Sequence, residues 1–234
     1  MTSSRANQIP DSEIDGYGSP LKILLIAMSA LLLVYAFMRL ASEVGEGETG
    51  QFDRAILLAA QSVRASHVWV AEVMRDLSGL GSTVALCLVT VSTVAYLALF
   101  REVRAALLLA CAVVSGTLLV SLFKTNFGRP RPEARYAELA MTGWSFPSGH
   151  ASMSALVFLT LGALIASART NRFERSFILL IAAMLTFLVG MSRVVLGVHY
   201  ATDVLGGWIF GTSWAIGWLL FAKWFAMNSQ PSTR

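Results

Sequence analysis

Three clusters in this 234-residue chain combine cations, histidines and a carboxylate. The first is Lys124-Thr-Asn-Phe-Gly-Arg129-Pro-Arg131-Pro132, the second is Pro147-Ser148-Gly149-His150, and the third is Ser192-Arg193 followed by His199 and Asp203. Lys124, Arg131 and Arg193 suit a multiply charged oxyanion. A guanidinium binds two phosphate oxygens at once, and an ammonium acts as a compact point charge. Pro147-Ser148-Gly149 leads into an apolar run expected to be helical, and the first N–H groups of a helix lack partners and attract anions. Gly149 lets the backbone approach a ligand closely, and Ser148 adds a hydroxyl donor. His199 and Asp203 are four residues apart, which on a helix places both on one face. A carboxylate on one imidazole nitrogen fixes the tautomer and leaves the other nitrogen free to attack. Nearby cations lower the histidine pKa and Asp203 raises it, so a neutral resting form near pH 7 is expected. His150 comes from a different helix and can approach the leaving oxygen as general acid.

Each cluster alone has an ordinary explanation, because cations at span ends snorkel and Pro and Gly punctuate loops. Snorkelling gives no reason for two histidines and an aspartate at fixed spacing among the cations. A metal site is the rival for His150, His199 and Asp203, but three cations around a metal ion would repel it. Glu133 and Glu138 have no ligand spacing with a histidine, so no metal and no cofactor is expected. Arg129 and Arg135 are read as contacts to lipid headgroups or, as the alternative, to a second phosphate, and His67 as an ordinary interfacial histidine.

The elements that must position these clusters follow from composition. The chain is 56% hydrophobic and 14% charged, with mean hydropathy +0.64. A soluble domain usually carries roughly 25% charged residues, so the chain cannot build a polar shell and belongs in a membrane. Apolar stretches of spanning length occupy about 21–41, 79–100, 105–123, 150–168, 176–192 and 204–226. Each approaches the roughly 20 residues that cross a hydrocarbon core, and backbone groups in lipid must be bonded within the segment. The fold class is therefore all-α, a polytopic bundle of six transmembrane helices forming one domain, 21–226. Residues 42–78 alternate apolar and polar positions at helical spacing and are expected as an interfacial amphipathic helix or helix pair bordering the entry path of a lipid tail. Residues 1–20 read as a polar tail rather than a signal peptide, and 227–234 as a C-terminal tail. Cys87 and Cys111 lie in apolar runs, where small hydrophobic packing is expected. No Lys/Arg block stands clear of the spans, so no nucleic acid is expected as a partner.

Six spans put both termini on one side and all three clusters on the other. Each side carries nine Lys and Arg, but the short turns on the terminus side hold Arg101 and Arg104, then Arg169, Arg172 and Arg175. The positive-inside rule weighs such turns, so both termini are expected in the cytoplasm and the clusters on the periplasmic face.

Lys124-x6-Arg131-Pro132, Pro147-Ser148-Gly149-His150 and Ser192-Arg193-x5-His199-x3-Asp203 resemble the three signatures of the type 2 phosphatidic acid phosphatase family, with every signature position filled. Vanadium haloperoxidases share these motifs but are soluble, and six spans argue against them here. The resemblance implies an integral-membrane, metal-independent lipid phosphatase working through a phosphohistidine. It implies His199 as nucleophile, Asp203 as its orienter and His150 as acid and then base. Lys124, Arg131, Ser148, Gly149 and Arg193 would bind the phosphoryl oxygens. The substrate would be a mono- or diphosphate ester of a membrane lipid: phosphatidic acid, phosphatidylglycerophosphate, undecaprenyl diphosphate or the lipid A phosphate. A bacterial inner membrane is the expected location. A phosphotransferase of the same superfamily, or a non-catalytic lipid-binding protein or transporter, is the alternative.

Overall fold

The computed structural model describes residues 12–139 and 141–228, with side chains over 21, 23–139 and 141–225. Its helices are α1 (Ser12–Glu46), α2 (Gly50–Ser66), α3 (Val68–Gly79), α4 (Thr83–Leu99), α5 (Val103–Phe127), α6 (Gly149–Ser167), α7 (Arg172–Val195) and α8 (Ala201–Asn228). A single 3-10 turn, Ala134–Tyr136, interrupts the long α5–α6 loop. Six apolar stretches are long enough to span: Ile23–Glu46, Val68–Leu99, Val103–Phe127, Gly149–Ser167, Arg172–Val195 and Ala201–Phe225.

The expected spans are all present, with shifted ends. α1 begins at Ser12, inside the expected 1–20 tail; residues 1–11 and most of the C-terminal tail, 229–234, lie outside the described residues. The pair α2 and α3 forms where 42–78 was expected to hold an amphipathic helix or pair. α3 is also apolar enough to join α4 in the second stretch. At 17 residues α4 alone reaches about 26 Å, short of a hydrocarbon core of about 30 Å. Ser82 turns the chain between α3 and α4 and caps α4 by accepting from the Ala85 N–H at 3.2 Å. Asn171 caps α7 in the same way, accepting from the Phe173 N–H at 2.8 Å.

α6 is the central helix. It packs against α7 and α8, while α1 covers α8, α5 lies on α4 and α6, and α3 lies on α7. Water cannot drive helices together inside a bilayer, so close approach through small residues does. On α8, Gly207 and Gly211 face Ala151, Ser152 and Ala155 of α6, and a Cβ at Gly211 would overlap the Ser152 carbonyl. An aromatic cluster of Phe37, Phe146 and Phe210 packs with Val44 and Val120 beneath the α5–α6 loop. Phe146 is fully buried there and anchors the segment that carries Ser145 and Ser148. The outward faces of α1, α4 and α5 expose large apolar side chains such as Leu31, Val84 and Leu118, as a bilayer-facing surface should. Cys87 and Cys111 are free thiols on this outer surface. That corrects the expected interior packing, because an apolar run in lipid is apolar on every side and does not mark its buried face.

Candidate active site

The three clusters converge where α5, α6, α7 and α8 end on one side of the bundle. α5 stops at Gly128, whose N–H closes on the Lys124 carbonyl at 3.1 Å. α7 stops before Gly197, which adopts φ +70° and lies against the Tyr136 carbonyl so closely that a Cβ would overlap it. This left-handed turn sends the chain to His199, which sits just ahead of α8, with Asp203 in that helix's first turn. The expected same-face helical pair is thus a turn residue and a first-turn residue. The four-residue spacing still brings them together, because the chain coils into the helix and the Asp203 N–H donates to the Tyr200 carbonyl at 3.1 Å.

His199 Nδ1 stands 3.3 Å from Asp203 Oδ2. The same carboxylate oxygen accepts from the Tyr200 N–H at 2.9 Å and from the Ser145 hydroxyl, and Oδ1 accepts from Arg129 at 2.6 Å. Every group around Asp203 therefore donates, which places the imidazole proton on Nδ1 and the lone pair on Nε2. Arg131 Nη1 lies 3.2 Å from that Nε2 and donates to the Val198 carbonyl at 2.9 Å. Burial, first of all, holds the imidazole at about 4; Asp203 pulls upward, and Arg131 and Lys124 add to the depression. The neutral form expected from the sequence follows mainly from desolvation rather than from the neighbouring cations.

Arg193 is 3% exposed. Its Nη1 donates to the Ser78 hydroxyl of α3, while Nε and Nη2 are buried and face no protein acceptor. The Ser148 hydroxyl, at the N-cap of α6, is likewise buried and unpartnered. Two idle guanidinium donors and an idle hydroxyl at a helix N-terminus are what an oxyanion satisfies. Lys124 is tethered to the Trp144 carbonyl at 2.7 Å and feels the charges of Arg131, Asp203 and Arg193. His150 feels Arg193, His199, Arg131 and Lys124. All eight expected site residues, counting Gly149 at the start of α6, are thus brought together.

Arg129 corrects its expectation. It is 13% exposed and splits its fork between Asp203 and Asp53 of α2 at 2.6 Å each. Burial alone would lower its pKa, but the two carboxylates outweigh that and raise it. Arg135 is exposed and pairs with Glu133, and Glu138 pairs with Arg75 of α3. Sequence reasoning missed Ser145, Tyr200, Thr202, Asp53 and Arg64. Arg64 of α2 binds the Val195 carbonyl and, at 2.6 Å, the Tyr136 carbonyl, clamping the loop over the site. On an amphipathic segment Asp53-Arg54 looks like a solvated pair, so nothing in the sequence marks Asp53 as buried.

Two cavities flank the site. One, about 410 Å³, lies behind Arg129 and is bounded by Asp53, Arg54, Glu133 and Tyr200. The other, an apolar groove of about 210 Å³, runs between α4, α5 and α6 past Leu86, Val113, Thr117 and Met153, and ends at Lys124, Gly149 and His150. None of the described residues 42–78 lines this groove.

A family model for the PAP2 superfamily matches residues 105–227, the stretch that carries all three clusters. The chain belongs to the PAP2 superfamily. As a PAP2 protein it is an integral membrane protein and a phosphoric ester hydrolase. It is 32% identical over 177 residues to phosphatidylglycerophosphatase B of Bacillus subtilis, covering 75% of this chain and 85% of that one. It is 36% identical over 123 residues to a lipid A 1-phosphatase of Rhizobium etli, covering 49% of this chain and 48% of the relative, so it spans about half the relative's length. The crystal structure of the PAP2-type phosphatidylglycerolphosphate phosphatase from Bacillus subtilis superposes with a TM-score of 0.76 at 28% identity, over 88% of this chain and 99% of that one. Aquifex aeolicus LpxE superposes with a TM-score of 0.52 at 27% identity, over 72% and 93%.

Proposed function

We propose that this PAP2 protein is a lipid phosphatase that hydrolyses a phosphate mono- or diphosphate ester of a membrane lipid through a phosphohistidine on His199. The observation that carries the lipid reading is the apolar groove between α4, α5 and α6, which leads from the bilayer-facing surface to Lys124 and His150. A tail lying there leaves its phosphate among the cations. The expected border along residues 42–78 lines the other cavity, beside Arg129.

In this reading the phosphoryl oxygens take the idle donors of Arg193, the Ser148 hydroxyl and the α6 N-terminus at Gly149, with Lys124 and Arg131 completing the cationic cradle. The oxyanion draws Arg131 off Nε2, and Nε2 attacks phosphorus. The phosphorus–nitrogen bond forms as the bond to the lipid oxygen breaks, and His150, at the mouth of the groove, gives that oxygen its proton. Asp203 stabilises the charge on the phosphorylated imidazole. In the second half His150 takes a proton from water, whose oxygen bonds to phosphorus as the bond from phosphorus to Nε2 breaks, releasing phosphate and freeing His199. Fixed charges at the transferring group do most of the work, as phosphoryl transfer requires. No step needs a metal. The arginine-bearing turns α4–α5 and α6–α7 favour cytoplasmic termini and a periplasmic site in a bacterial inner membrane.

The test is phosphate release by the purified protein from phosphatidic acid, phosphatidylglycerophosphate, undecaprenyl diphosphate and lipid A, with EDTA present. An acid-labile phosphoenzyme should form on the preferred lipid and vanish in His199→Ala. Full phosphate release by that variant would end the reading.

A further inference from the structure

The carboxylate of Asp53 is 1% exposed on α2, in a helix outside all three signature clusters. A buried carboxylate persists where its partners are complete, and those of Asp53 are all on the site side. Oδ1 accepts from the Thr202 N–H at 3.0 Å; Oδ2 accepts from Arg129 Nη2 and from the Thr202 hydroxyl, each at 2.6 Å. Arg129 Nη1 in turn donates to the Thr202 hydroxyl oxygen at 2.8 Å and to Asp203 Oδ1 at 2.6 Å. Its guanidinium carbon lies over the Tyr200 ring, 4.4 Å from the centroid. Each proton in this chain has one direction to go. The fork of Arg129 can point at Asp203 because Asp53 holds its other arm. With Oδ1 of Asp203 held, Oδ2 is left facing His199.

We infer that Asp53 is a positioning residue for phosphoryl transfer, acting through Arg129 and Thr202 to hold Asp203 at the angle that orients His199. The inference rests on the reading of His199 and Asp203 as nucleophile and orienter. It gives α2 a part in the chemistry: the helix supplies the outer end of a relay, Asp53–Arg129–Asp203–His199, whose members come from α2, the α5–α6 loop, and the turn and start of α8. Asparagine cannot replace Asp53 in this relay. Both oxygens accept only from donors, so an amide NH2 must meet either the Thr202 N–H or Arg129.

The experiment is a double-mutant cycle on the full-length protein in detergent, with radiolabelled phosphatidic acid in mixed micelles and melting temperature recorded alongside. In the wild-type background Asp53→Asn should lower kcat about tenfold to a hundredfold with KM unchanged, the loss expected when a reacting group is displaced by about 1 Å. In an Asp203→Asn background the same substitution should cost nothing more, because the group it positions is already gone. Thr202→Val, a milder cut in the same relay, should behave alike and carries the test if Asp53→Asn does not fold. Equal loss in both backgrounds, a rise in KM alone, or an unchanged kcat overturns the inference while leaving the nucleophile in place. Full turnover by Asp203→Asn itself overturns the underlying reading and the inference with it.

Discussion

Asparagine at position 203 keeps the shape of the side chain and turns one acceptor into a donor. In the native site both carboxylate oxygens face donors: Arg129 on Oδ1, and the Tyr200 N–H, the Ser145 hydroxyl and His199 Nδ1 on Oδ2. An amide has one oxygen, and the charge-assisted bond from Arg129, roughly twice as strong as a neutral one, claims it. The NH2 is then turned toward Tyr200 and His199. The Tyr200 N–H loses its acceptor, at about 1–3 kcal/mol of stability. The NH2 donates to Nδ1, so the imidazole carries its proton on Nε2, the atom proposed to attack. A wrong tautomer in an otherwise intact triad costs about 10⁴ in kcat, or about 5 kcal/mol in barrier height. Asp203→Asn should therefore lose about four decades of kcat with KM within a few-fold and a modestly lower melting temperature. Phosphate release from radiolabelled lipid in mixed micelles, with quench-trapping of the phosphoenzyme, reads both. A variant that folds and turns over within about tenfold of wild type, a loss of only 1.36 kcal/mol per decade, would refute the tautomer argument.

Two further outcomes follow from the same geometry. His199 sits at about 4 against an ordinary 6.5, so between those values the unfolded chain holds a proton that the folded chain does not, and stability rises with pH across that window. The melting temperature of wild type minus that of His199→Gln should climb from pH 4 to 6.5 and level off above; parallel curves would contradict the buried neutral imidazole. Thr117→Trp places an indole in the groove between α4, α5 and α6 and should impair turnover of a long-chain lipid phosphate more than that of a short soluble ester, whereas equal loss on both would remove the groove as the tail path.

Much of the site is legible in the chain because its members carry charge or a ring nitrogen in otherwise apolar surroundings. Lys124, His150, Arg193 and Asp203 stand out for that reason, and the parity of six spans puts them on one face. The span ends are less legible. The amphipathic segment gives way to an apolar one near residue 79, but the start of α4 at Thr83 is set by the Ser82 cap. Arg129 is misread because a cation at a span end looks the same whether it meets headgroups or carboxylates. What distinguishes it is Asp53, 76 residues earlier, and no local pattern links the two.

The sequence by itself determined the membrane setting, the helical class and which eight residues, of the types an oxyanion site needs, gather at one end of the bundle. These depend on side-chain type and on periodicity along one strand of chain. The tertiary structure alone decided how the site is poised: the proton on Nδ1, the idle donors of Arg193, the groove that meets His150, and the tie from α2 through Arg129. Each of these depends on which groups donate and accept across distances of about 3 Å between segments far apart in the chain, and burial between packed helices sets them.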